Sequence, residues 1–555
     1  MWRLSPLVIL LAACTQDPVS APVNVDSELP EHRPNILLIV ADDLGYSDIG
    51  AYGGEIATPN LDELAANGLT LTNFYTGPTC SVSRSMLVSG ADNHIAGLGN
   101  MAETVADNQL GLPGYEGHLN DSVETIAEVL SAAGYRTYLS GKWHLGMQPE
   151  QSPSQRGFDL AFSPLFGGGS HFSDMRGPDA HRDPLIYRDN GRLVNEVPED
   201  FFSTTYYTDR VISQIDSDID SGSPFFAFLS YTAPHWPLHA PQDYIDKYEG
   251  RYDIGYDRVR EARLAKQKTL GIIPSDTAAV PRPGSVKPWA DLNADEQSFH
   301  ARNMEIYAAM VDHMDMSIGR VLDFLRDKGQ LDNTMVVFIS DNGAESWNYE
   351  TAPPPVGKFA LTFDNSPENR GRVGSFIFYG PEWGHVSNVP FTRSKGSAYQ
   401  GGVRSPAIVY WPAMETSGRT SSALSYITDW YSTFAEVAGS DKRGVSGKSL
   451  VPVLQGTAAQ VRDDADTMGI EVWGKKAVIG QRYKLVSSPK KPHGEADWAL
   501  YDLVADPAEQ NDLAAQEPEI VQTMLGAWDD YVSENNVVLP TGEFKVRPAG
   551  EIPLE

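Results

Sequence analysis

Cysteine is nearly absent from this chain, which contains two cysteines, Cys14 and Cys80, among 555 residues. A fold that depends on a framework of several disulfides is therefore excluded. A structural zinc site is excluded as well, because no set of cysteines and histidines has the spacing of such a site. We expect the two cysteines to have separate fates and not to pair with each other.

Basic residues are scarce relative to acidic ones. The chain has 43 Lys and Arg against 74 Asp and Glu, which gives a net charge of −31 at pH 7. A surface this acidic repels the phosphates of nucleic acids, so we expect no nucleic acid partner. It also repels anionic substrates at long range, and any anion site must therefore be a local basic pocket.

Long apolar runs are missing too. The run at residues 4–13, which follows Arg3, is too short for a stable membrane span and is typical of an export signal. It ends in the sequence LAAC at residues 11–14, which resembles the lipobox of bacterial lipoproteins, whose Cys is acylated. We therefore predict a lipoprotein signal peptide over residues 1–13 and a lipid on Cys14.

The segment after this signal is polar and rich in proline, and it predicts a tether over residues 14–33. Cleavage after Val19-Ser20-Ala21 is the alternative, and it would leave a free protein. In both cases we expect an exported protein on the periplasmic side or at the cell surface of a bacterium. Its contact with the membrane would be limited to the N-terminal lipid.

Apolar segments of strand length alternate with helical patterns along most of the chain. The predicted strands, which have the composition of strands buried on both faces, are residues 35–40, 136–140, 225–231, 335–340 and 407–411. Between them, residues 121–133 and 294–328 have amphipathic helical patterns, whereas residues 244–287 are charged and resemble a surface excursion. This alternation predicts an α/β fold with a large, mixed, mostly parallel sheet sandwiched by helices.

The pattern changes near residue 420. Hairpin strands over residues 471–487, a short strand near residue 500 and a helix over residues 519–534 predict a smaller antiparallel sheet with a closing helix. We therefore expect a main domain over residues 34–419 and a smaller α+β subdomain over residues 420–555.

Polar side chains follow several of the buried strands. Functional groups in α/β sheets collect beyond the carboxyl ends of strands, so these side chains are candidates for one site. The candidates that follow strands are Asp42, Asp43, Lys142, His144, His235, Asp341 and Asn342, and Lys395 precedes the last predicted strand. The three aspartates and the asparagine offer only oxygen, which selects a hard cation and suits Ca²⁺ better than Mg²⁺.

The segment around Cys80 has a second set of candidates. Cys80 and Arg84 are four residues apart where a loop enters a predicted helix, so both can lie on the same side of that helix. The helix N-terminus favours a bound anion, and the guanidinium can bind its oxygens. Taken alone, however, Cys80 is better explained as a small buried residue that fills space, and only the other candidates change this interpretation.

Together these residues resemble the formylglycine-dependent sulfatases, and among them the bacterial arylsulfatases, which have an alkaline phosphatase-like fold. The resemblance extends from about Pro34 to the C-terminal region. It implies that Cys80, in a Cys-x-Pro/Ala-x-Arg motif, is converted to formylglycine by a formylglycine-generating enzyme. Val82 departs from the motif, because the family has Pro or Ala at that position. We expect at least partial conversion, since Cys80 and Arg84 are intact.

The resemblance also implies a role for each remaining candidate. The hydrate of formylglycine attacks the sulfur of a sulfate monoester, with help from a cation held by Asp42, Asp43, Asp341, Asn342 and residue 80. Arg84 and Lys142 bind sulfate oxygens, and the leaving oxygen takes a proton from His235, assisted by Lys395. His144 accepts the proton that allows the aldehyde to form again. The expected products are an alcohol or phenol and inorganic sulfate.

Two other functions are compatible with these residues. A phosphonate monoester or phosphodiester hydrolase would use the same fold and the same nucleophile. A lipid-anchored anion-binding protein without catalysis would result if Cys80 stayed a thiol. Relative rates on sulfate and phosphate esters distinguish a sulfatase from the first alternative. The effect of replacing Cys80 distinguishes it from the second.

Overall fold

The computed structural model of the protein describes residues 33–412, 418–442, 444, 446–488 and 497–541. The predicted signal peptide, Cys14 and nearly all of the predicted tether lie outside the described residues. Among the residues described, no helix is both long enough and apolar enough to cross a membrane.

The strands of the described residues form three sheets. They are β1 (Asn35–Ala41), β2 (Leu69–Leu71), β3 (Phe74–Tyr75), β4 (Arg136–Gly141), β5 (Leu160–Pro164), β6 (Tyr187–Asp189), β7 (Arg192–Val194), β8 (Phe225–Ser230), β9 (Thr334–Ser340), β10 (Ala407–Tyr410), β11 (Arg419–Ser421), β12 (Ser425–Tyr426), β13 (Met468–Val472), β14 (Lys475–Ile479), β15 (Tyr483–Ser487) and β16 (Ala499–Asp502).

Helices connect most of these strands. They are α1 (Pro59–Asn67), α2 (Cys80–Ser89), α3 (Ile126–Ala132), α4 (Ser203–Asp218), α5 (Gln242–Lys247), α6 (Tyr256–Leu270), α7 (Ala294–Asp327), α8 (Pro354–Ala360), α9 (Gly380–Ser387), α10 (Gln400–Val403), α11 (Asp429–Val437), α12 (Val451–Leu454) and α13 (Pro518–Glu534).

A ten-stranded sheet forms the centre of the molecule, in the order β11-β2-β10-β9-β1-β8-β4-β5-β6-β7. Strands β9, β1, β8, β4 and β5 are parallel to one another, and antiparallel strands complete both edges. Helices α4 and α7 pack on one face, and α2, α3 and α11 pack together on the other. The predicted α/β fold with a mixed, mostly parallel sheet is therefore confirmed.

The position of strand β1 between two hydrophobic cores explains why its sequence is continuously apolar. Its residues alternate between the two hydrophobic cores of the molecule, so that Leu37 and Ile39 belong to one core and Ile36 and Leu38 to the other. Successive side chains of a strand point to opposite faces of the sheet. Because both faces of this sheet are covered by helices, every position of the strand must be apolar.

The smaller C-terminal sheet is antiparallel, with the strand order β13-β14-β15-β16. Helix α13 packs across it, and Gly469 of β13 leaves room for the ring of Tyr531 at the close contact between the two. The predicted second sheet with a closing helix is thus confirmed. The predicted hairpin over residues 471–487 contains three strands, β13, β14 and β15.

Two local predictions were wrong. The helix predicted from residue 121 begins at Ile126, because Thr125 and Glu128 form a reciprocal capping box that fixes its first turn. The supposed surface excursion at residues 244–287 contains α6 and most of α5, and its residues Tyr248, Tyr252 and Tyr256 are buried in the main core. Its charged composition was misleading because Arg263 is itself buried in ion pairs with Asp48 and Glu55.

Candidate active site

The carboxyl ends of four neighbouring parallel strands meet at one edge of the large sheet. Ala41 of β1 pairs with Ser340 of β9, and Ser230 of β8 pairs with Gly141 of β4. The polar residues that follow these strands are therefore brought to the same place, as the sequence predicts. Those that the structure buries there are Asp42, Asp43, Lys142, Asp341 and Asn342.

Three cationic side chains are paired with the three aspartates at this edge. Five of these six residues are buried, and the side chain of Lys395 is only 9% exposed, so each charge depends mainly on its partner and little on water. The contacts join Lys142 Nζ to Asp42 Oδ2 at 2.6 Å, Arg84 Nε to Asp341 Oδ2 at 2.8 Å, and Lys395 Nζ to Asp43 Oδ2 at 2.8 Å.

The acidic groups also crowd one another. One ligand atom from each of Asp42, Asp43, Asp341 and Cys80 lies within 4.8 Å of the others. Burial raises the pKa of Asp341 to about 6, and the neighbouring aspartates add to this effect against the opposing influence of Arg84. Such a group of carboxylates is stabilised by a cation placed among them.

Two oxygen atoms in the cluster have unused hydrogen-bonding capacity. Asp42 Oδ1 and Asn342 Oδ1 are buried and accept no hydrogen bond from any described residue, and Arg84 Nη2 lies 3.9 Å from Asp42 Oδ1. The Asn342 amide is oriented by its Nδ2, which donates to Asp43 Oδ1 at 2.7 Å. This donor set, made of carboxylate and amide oxygens, fits a hard divalent cation.

Arg84 links the helix that carries Cys80 to two of the strand ends. Its Nε donates to Asp341, and its Nη1 donates to the Lys142 carbonyl at 3.0 Å and to Ser230 Oγ at 2.6 Å. Burial of the guanidinium is thereby compensated by several acceptors in fixed positions. Ser230, the last residue of β8, was not predicted, because a serine at a strand end has no distinctive sequence signal.

Cys80 is the first residue of α2 and is 1% exposed. Its Sγ lies 3.7 Å from Asp43 Oδ1. Burial raises the pKa of the Cys80 thiol well above its usual range, and Asp42 adds to the effect. As an unmodified residue Cys80 is therefore a neutral thiol at physiological pH, which is a poor nucleophile.

Val82 fits the folded helix without strain. It is buried in the hydrophobic core beside the sheet, and it occupies the first turn of α2, where backbone N–H groups have no intrahelical acceptor. A proline, an alanine or a valine can therefore stand there without loss of a helical hydrogen bond. The departure from the family motif has no cost in the folded structure.

His235 and Lys395 both contact the same oxygen of Asp43. His235 Nε2 lies 3.6 Å from Asp43 Oδ2, and its Nδ1 lies 2.6 Å from the Trp236 carbonyl. The carbonyl requires Nδ1 to be the donor, so in the neutral imidazole Nε2 is an acceptor. Burial lowers the pKa of His235 well below its usual range, with Lys395 the next largest cause.

His144 lies on the other side of the site, with its backbone in the left-handed region at φ 59°. Its Nε2 is 3.6 Å from Glu103 Oε1, and that carboxylate also pairs with Arg182 at 3.2 Å. Burial lowers the pKa of His144 to about 4 although Glu103 opposes the shift. The neutral imidazole can accept a proton. The ring lies so close to Gly167 that a Cβ on this glycine would be 2.2 Å from Cε1.

A cavity of about 580 Å³ opens above Cys80. Its polar wall includes residues that were predicted from the sequence, namely His144, His235 and Lys395, and residues that were not, namely Glu103, Arg182, Glu345 and Lys475. Its apolar wall includes Met101, Trp236, Trp347, Pro353, Pro354, Pro355, Val356 and Trp473.

Glu345 is the unpredicted residue with the most direct signal in the sequence. It stands three positions after Asn342 in the loop that leaves β9, and its Oε2 lies 3.8 Å from Lys395 Nζ. Burial raises its pKa to about 7 against the opposing influence of Lys395. The place of Glu345 in a strand-end loop was a signal for the site that could have been used.

Comparison with known proteins decides the family. A sequence model of the Sulfatase family matches residues 34–440, which is most of the chain. The chain belongs to the sulfatase family. A second model, described as N-sulphoglucosamine sulphohydrolase, C-terminal, matches residues 394–527 of this sulfatase.

Relatives of this sulfatase occur in fungi, bacteria and animals. An uncharacterised sulfatase of Schizosaccharomyces pombe is 43% identical over 93% of this chain and 97% of its own length. An arylsulfatase of Klebsiella aerogenes is 39% identical over 76% of this chain and 91% of its own length. The human N-acetylgalactosamine-6-sulfatase is 30% identical over 76% of this chain and 66% of its own length.

Solved structures have the same fold at lower sequence identity. The structure of Ps i-CgsB in complex with k-i-k-neocarrahexaose has a TM-score of 0.67 and 23% identity, over 93% of this chain and 95% of that chain. A structure of BT4656 has a TM-score of 0.60 and 21% identity, over 91% of this chain and 98% of that chain. The sulfatase resemblance is thus confirmed, and the protein is a sulfuric ester hydrolase that acts on sulfate esters.

Proposed function

We propose that this sulfatase hydrolyses sulfate monoesters, as arylsulfatases do, by means of a formylglycine at position 80 and a divalent cation. The observation that carries the proposal is the arrangement at the sheet edge. Three carboxylates lie around the side chain of residue 80, the Asn342 amide contacts one of them, and two oxygens of these four groups are buried with no hydrogen bond among the described residues. The phosphodiester and anion-binding alternatives are less well supported, because the relatives with an assigned activity quoted above are sulfatases.

The cation would be held by Asp42, Asp43, Asp341 and Asn342, together with residue 80. When bound, a divalent ion supplies Lewis-acid polarisation of the oxygens that it contacts. Several negatively charged oxygen ligands in one site favour Ca²⁺ over Mg²⁺, which retains more of its water. The three carboxylates are balanced by Arg84, Lys142 and Lys395. A bound ion would therefore leave the site positive, as an anionic ester requires.

Formylglycine in its hydrated form supplies an oxygen nucleophile and a second hydroxyl through which sulfate is released. The conversion of Cys80 would be made by a formylglycine-generating enzyme that acts on the unfolded chain, because the folded structure buries this residue. Arg84 would hold residue 80 and the sulfate in one orientation, since its own position is fixed by Asp341, Ser230 and a backbone carbonyl.

Lys142 and Lys395 would bind sulfate oxygens from two sides. Each ammonium group already lies within hydrogen-bond distance of an aspartate at the sheet edge, so an arriving sulfate meets preorganised donors. Lys395 and His235 share Asp43, which places a protonated amine beside the imidazole that is proposed to serve the leaving oxygen. Because Nε2 of the neutral imidazole carries no proton, the Lys395 ammonium would supply the proton that His235 passes to the leaving oxygen.

His144 would accept the proton from the second hydroxyl of the hydrate. Its neutral state, its place in the wall of the cavity and its contact with Glu103 support this role. Glu103 holds the imidazole from the side of Nε2, which favours one tautomer and one ring orientation.

We also propose that the protein is exported and anchored by a lipid on Cys14. The apolar run at residues 4–13, the lipobox-like sequence at residues 11–14 and the polar segment after it support the proposal. Replacement of Cys14 by Ala should release the protein from the membrane fraction. Membrane association that survives this change would contradict the proposal.

The experiment that tests the nucleophile is mass spectrometry of the chymotryptic peptide over residues 76–87. Cleavage after Tyr75 and Leu87 gives a short peptide that contains position 80. Conversion replaces one sulfur and two hydrogens by one oxygen. We expect that mass change when the protein is produced together with a formylglycine-generating enzyme, and we expect Val82→Pro to increase the converted fraction. An unmodified thiol in active enzyme would overturn the proposal.

A second assay separates the two reaction types. Purified, converted enzyme is compared on an aryl sulfate and on an aryl phosphodiester with the same leaving group. We expect kcat/KM to be higher for the sulfate. A higher value for the diester would make the phosphodiesterase alternative correct.

A further inference from the structure

Part of the active-site cavity is built by the C-terminal sheet and not by the large one. Strands β13 and β14 are joined by the two-residue turn Trp473-Gly474, and Trp473 and Lys475 line the cavity that contains Cys80. Both turn residues have positive φ, 55° for Trp473 and 78° for Gly474. This is the usual backbone of a tight hairpin turn, but a bulky aromatic residue at such a φ is an outlier.

Strain of this kind persists only where surrounding contacts fix the conformation. Here the contacts come from several directions. Trp473 Nε1 donates to Thr104 Oγ1 at 3.0 Å, and the Gly474 amide donates to Glu471 Oε1 at 2.7 Å. The other oxygen of Glu471 lies 3.1 Å from His94 Nε2. The turn is therefore held rigidly against the catalytic domain, with the indole and the Lys475 side chain directed to the cavity.

Lys475 differs from the other cations of the cavity. Lys395 and Arg182 each contact carboxylates, whereas no described carboxylate lies within ion-pair distance of Lys475. Its Nζ donates to the Gly396 carbonyl and lies 5.3 Å from the centre of the Trp473 ring. The charge of Glu345, which is beyond ion-pair distance, raises the pKa of Lys475, and the neighbouring cation Arg393 lowers it.

The Lys475 ammonium group is partly buried, and it lacks the anion that normally accompanies a charge withdrawn from water. Burial lowers the pKa of Lys475 to about 8, so the group remains largely protonated at neutral pH. A carbonyl dipole and an aromatic face stabilise it only in part. A negatively charged group of the substrate would complete its environment.

We propose that Lys475 and Trp473 form a subsite for an acidic group, a carboxylate or a further sulfate, on the alcohol part of the sulfate ester. The inference rests on the proposed function of the cavity and adds to it a class of substrate. The ring of the alcohol would pack on Trp473 and on the apolar wall near Trp236 and Trp347, and its acidic group would lie at the Lys475 ammonium. The hydrolysed sulfate would lie at residue 80.

The test compares 4-carboxyphenyl sulfate with 4-carbamoylphenyl sulfate. The two esters are alike in shape and have leaving groups of similar electron demand, but only the first carries a second negative charge. We expect the wild-type enzyme to prefer the carboxylate, and Lys475→Gln to reduce the ratio of the two kcat/KM values about tenfold, the effect of about one charge-assisted hydrogen bond. The change should appear in KM, because the contact exists before and during the reaction.

The neighbouring lysine provides a matched control. Lys476 faces the other side of the sheet, with its Nζ 4.7 Å from the centre of the Trp498 ring, and it is absent from the cavity wall. Lys476→Gln should leave the ratio unchanged, whereas Lys475→Arg should preserve most of the preference. A ratio that is the same in Lys475→Gln and in the wild type would overturn the inference, as would an equal effect of Lys476→Gln.

A third substrate, 1,4-phenylene bis-sulfate, tells the two acidic groups apart. A dependence on Lys475 that is stronger for this substrate than for the carboxylate assigns the subsite to a second sulfate, and the reverse assigns it to a carboxylate. No dependence for either substrate overturns the inference while the proposed function stands. Failure of the wild-type enzyme to hydrolyse any of the three esters after confirmed conversion of Cys80 would instead overturn the proposed function.

Discussion

The protein contains two buried clusters of charged residues, and they differ in how completely their hydrogen-bonding groups have partners. In the first, His94 contacts Asp92 at 2.8 Å and Glu471 at 3.1 Å, and Tyr531 donates to Asp92 at 3.0 Å. Every side-chain nitrogen and oxygen of these four residues has a hydrogen-bond partner or access to solvent. We call this group the His94 cluster.

The second cluster is the site at the edge of the large sheet, where Asp42 Oδ1, Asn342 Oδ1 and Arg84 Nη2 are buried without a hydrogen bond from described residues. Burial without a partner is costly, so a native protein retains such atoms only where something else completes them. The His94 cluster joins a loop of the large domain to β13 and α13, and it serves stability. We call the second group the open cluster, and in the proposed function it is preorganised for a cation and an anion that bind later.

Replacement of Cys80 by Ala should have the largest effect on activity and the smallest on stability. The variant lacks any nucleophile at position 80, so kcat should fall by about 10⁴-fold or more, as when a catalytic nucleophile is removed from a hydrolase. Hydrolysis of an aryl sulfate by converted wild-type enzyme and by the variant measures the first effect, and thermal unfolding measures the second. Turnover close to that of the wild type would show that residue 80 is not the nucleophile.

Asp341→Asn should separate the clusters by their need for a metal. It removes a proposed ligand, and kcat/KM should fall by more than the about 10- to 100-fold that loss of an outer partner of a ligand costs. A chelator should lower the unfolding free energy of the wild type, by about 2.7 kcal/mol if the free ion stands at 100 times its dissociation constant. The variant should not respond to the chelator.

The control for this experiment is a substitution in the His94 cluster. His94→Gln leaves the proposed ligands intact, so its unfolding should remain sensitive to the chelator. Bound metal per chain, measured by elemental analysis, should be close to that of the wild type in His94→Gln and lower in Asp341→Asn. Equal metal content in all three proteins would place the ion elsewhere.

The open cluster could be predicted because the ends of buried strands can be recognised in the amino-acid sequence. A strand that is buried on both faces is a continuous apolar run, and the polar residue that ends the run marks the sheet edge, as Asp42 and Asp341 do. Neighbouring parallel strands then bring such residues together whatever their separation along the chain. The α/β fold and the candidate residues at this edge therefore followed from local patterns.

The partners supplied by irregular segments could not be predicted in this way. Glu103 reaches His144 from a single 3-10 turn at residues 102–104, and Lys475 reaches the cavity from another sheet, 80 residues after Lys395. Their positions depend on how the second sheet docks on the first, which periodicity does not encode. The same limit applies to Arg263, whose charge indicated a surface excursion although two carboxylates allow its burial.

His94→Gln should destabilise the protein and leave its chemistry intact. Removal of one member of a buried ionic network costs about 3–5 kcal/mol, because the remaining charges lose their partner. A glutamine still forms some of the hydrogen bonds, so we expect the lower end of this range, measured by denaturant unfolding. The kcat of the folded variant on 4-carbamoylphenyl sulfate should be unchanged. A large loss of kcat with unchanged stability would mean that the His94 cluster belongs to the site.

The smallest expected effect is the pH dependence that the charge on His94 gives to the free energy of unfolding. Hydrogen bonds and charges from Asp92 and Glu471 raise the pKa of His94 to about 9 against the opposing effect of burial, whereas an unfolded histidine titrates near about 6.5. The raised pKa means that the stabilisation is fully present below pH 6.5 and is lost as the pH rises through 9. The loss amounts to at most about 3 kcal/mol.

The measurement is the difference in unfolding free energy between the wild type and His94→Gln from pH 6 to pH 10. Other titrating groups, including Tyr115 and Tyr531 beside the histidine, are common to both proteins and cancel in the difference. The difference should be largest at pH 6 and shrink towards pH 10. A constant difference would mean that His94 is neutral in the folded protein. The His94 cluster would then be held by hydrogen bonds without a charge on the imidazole.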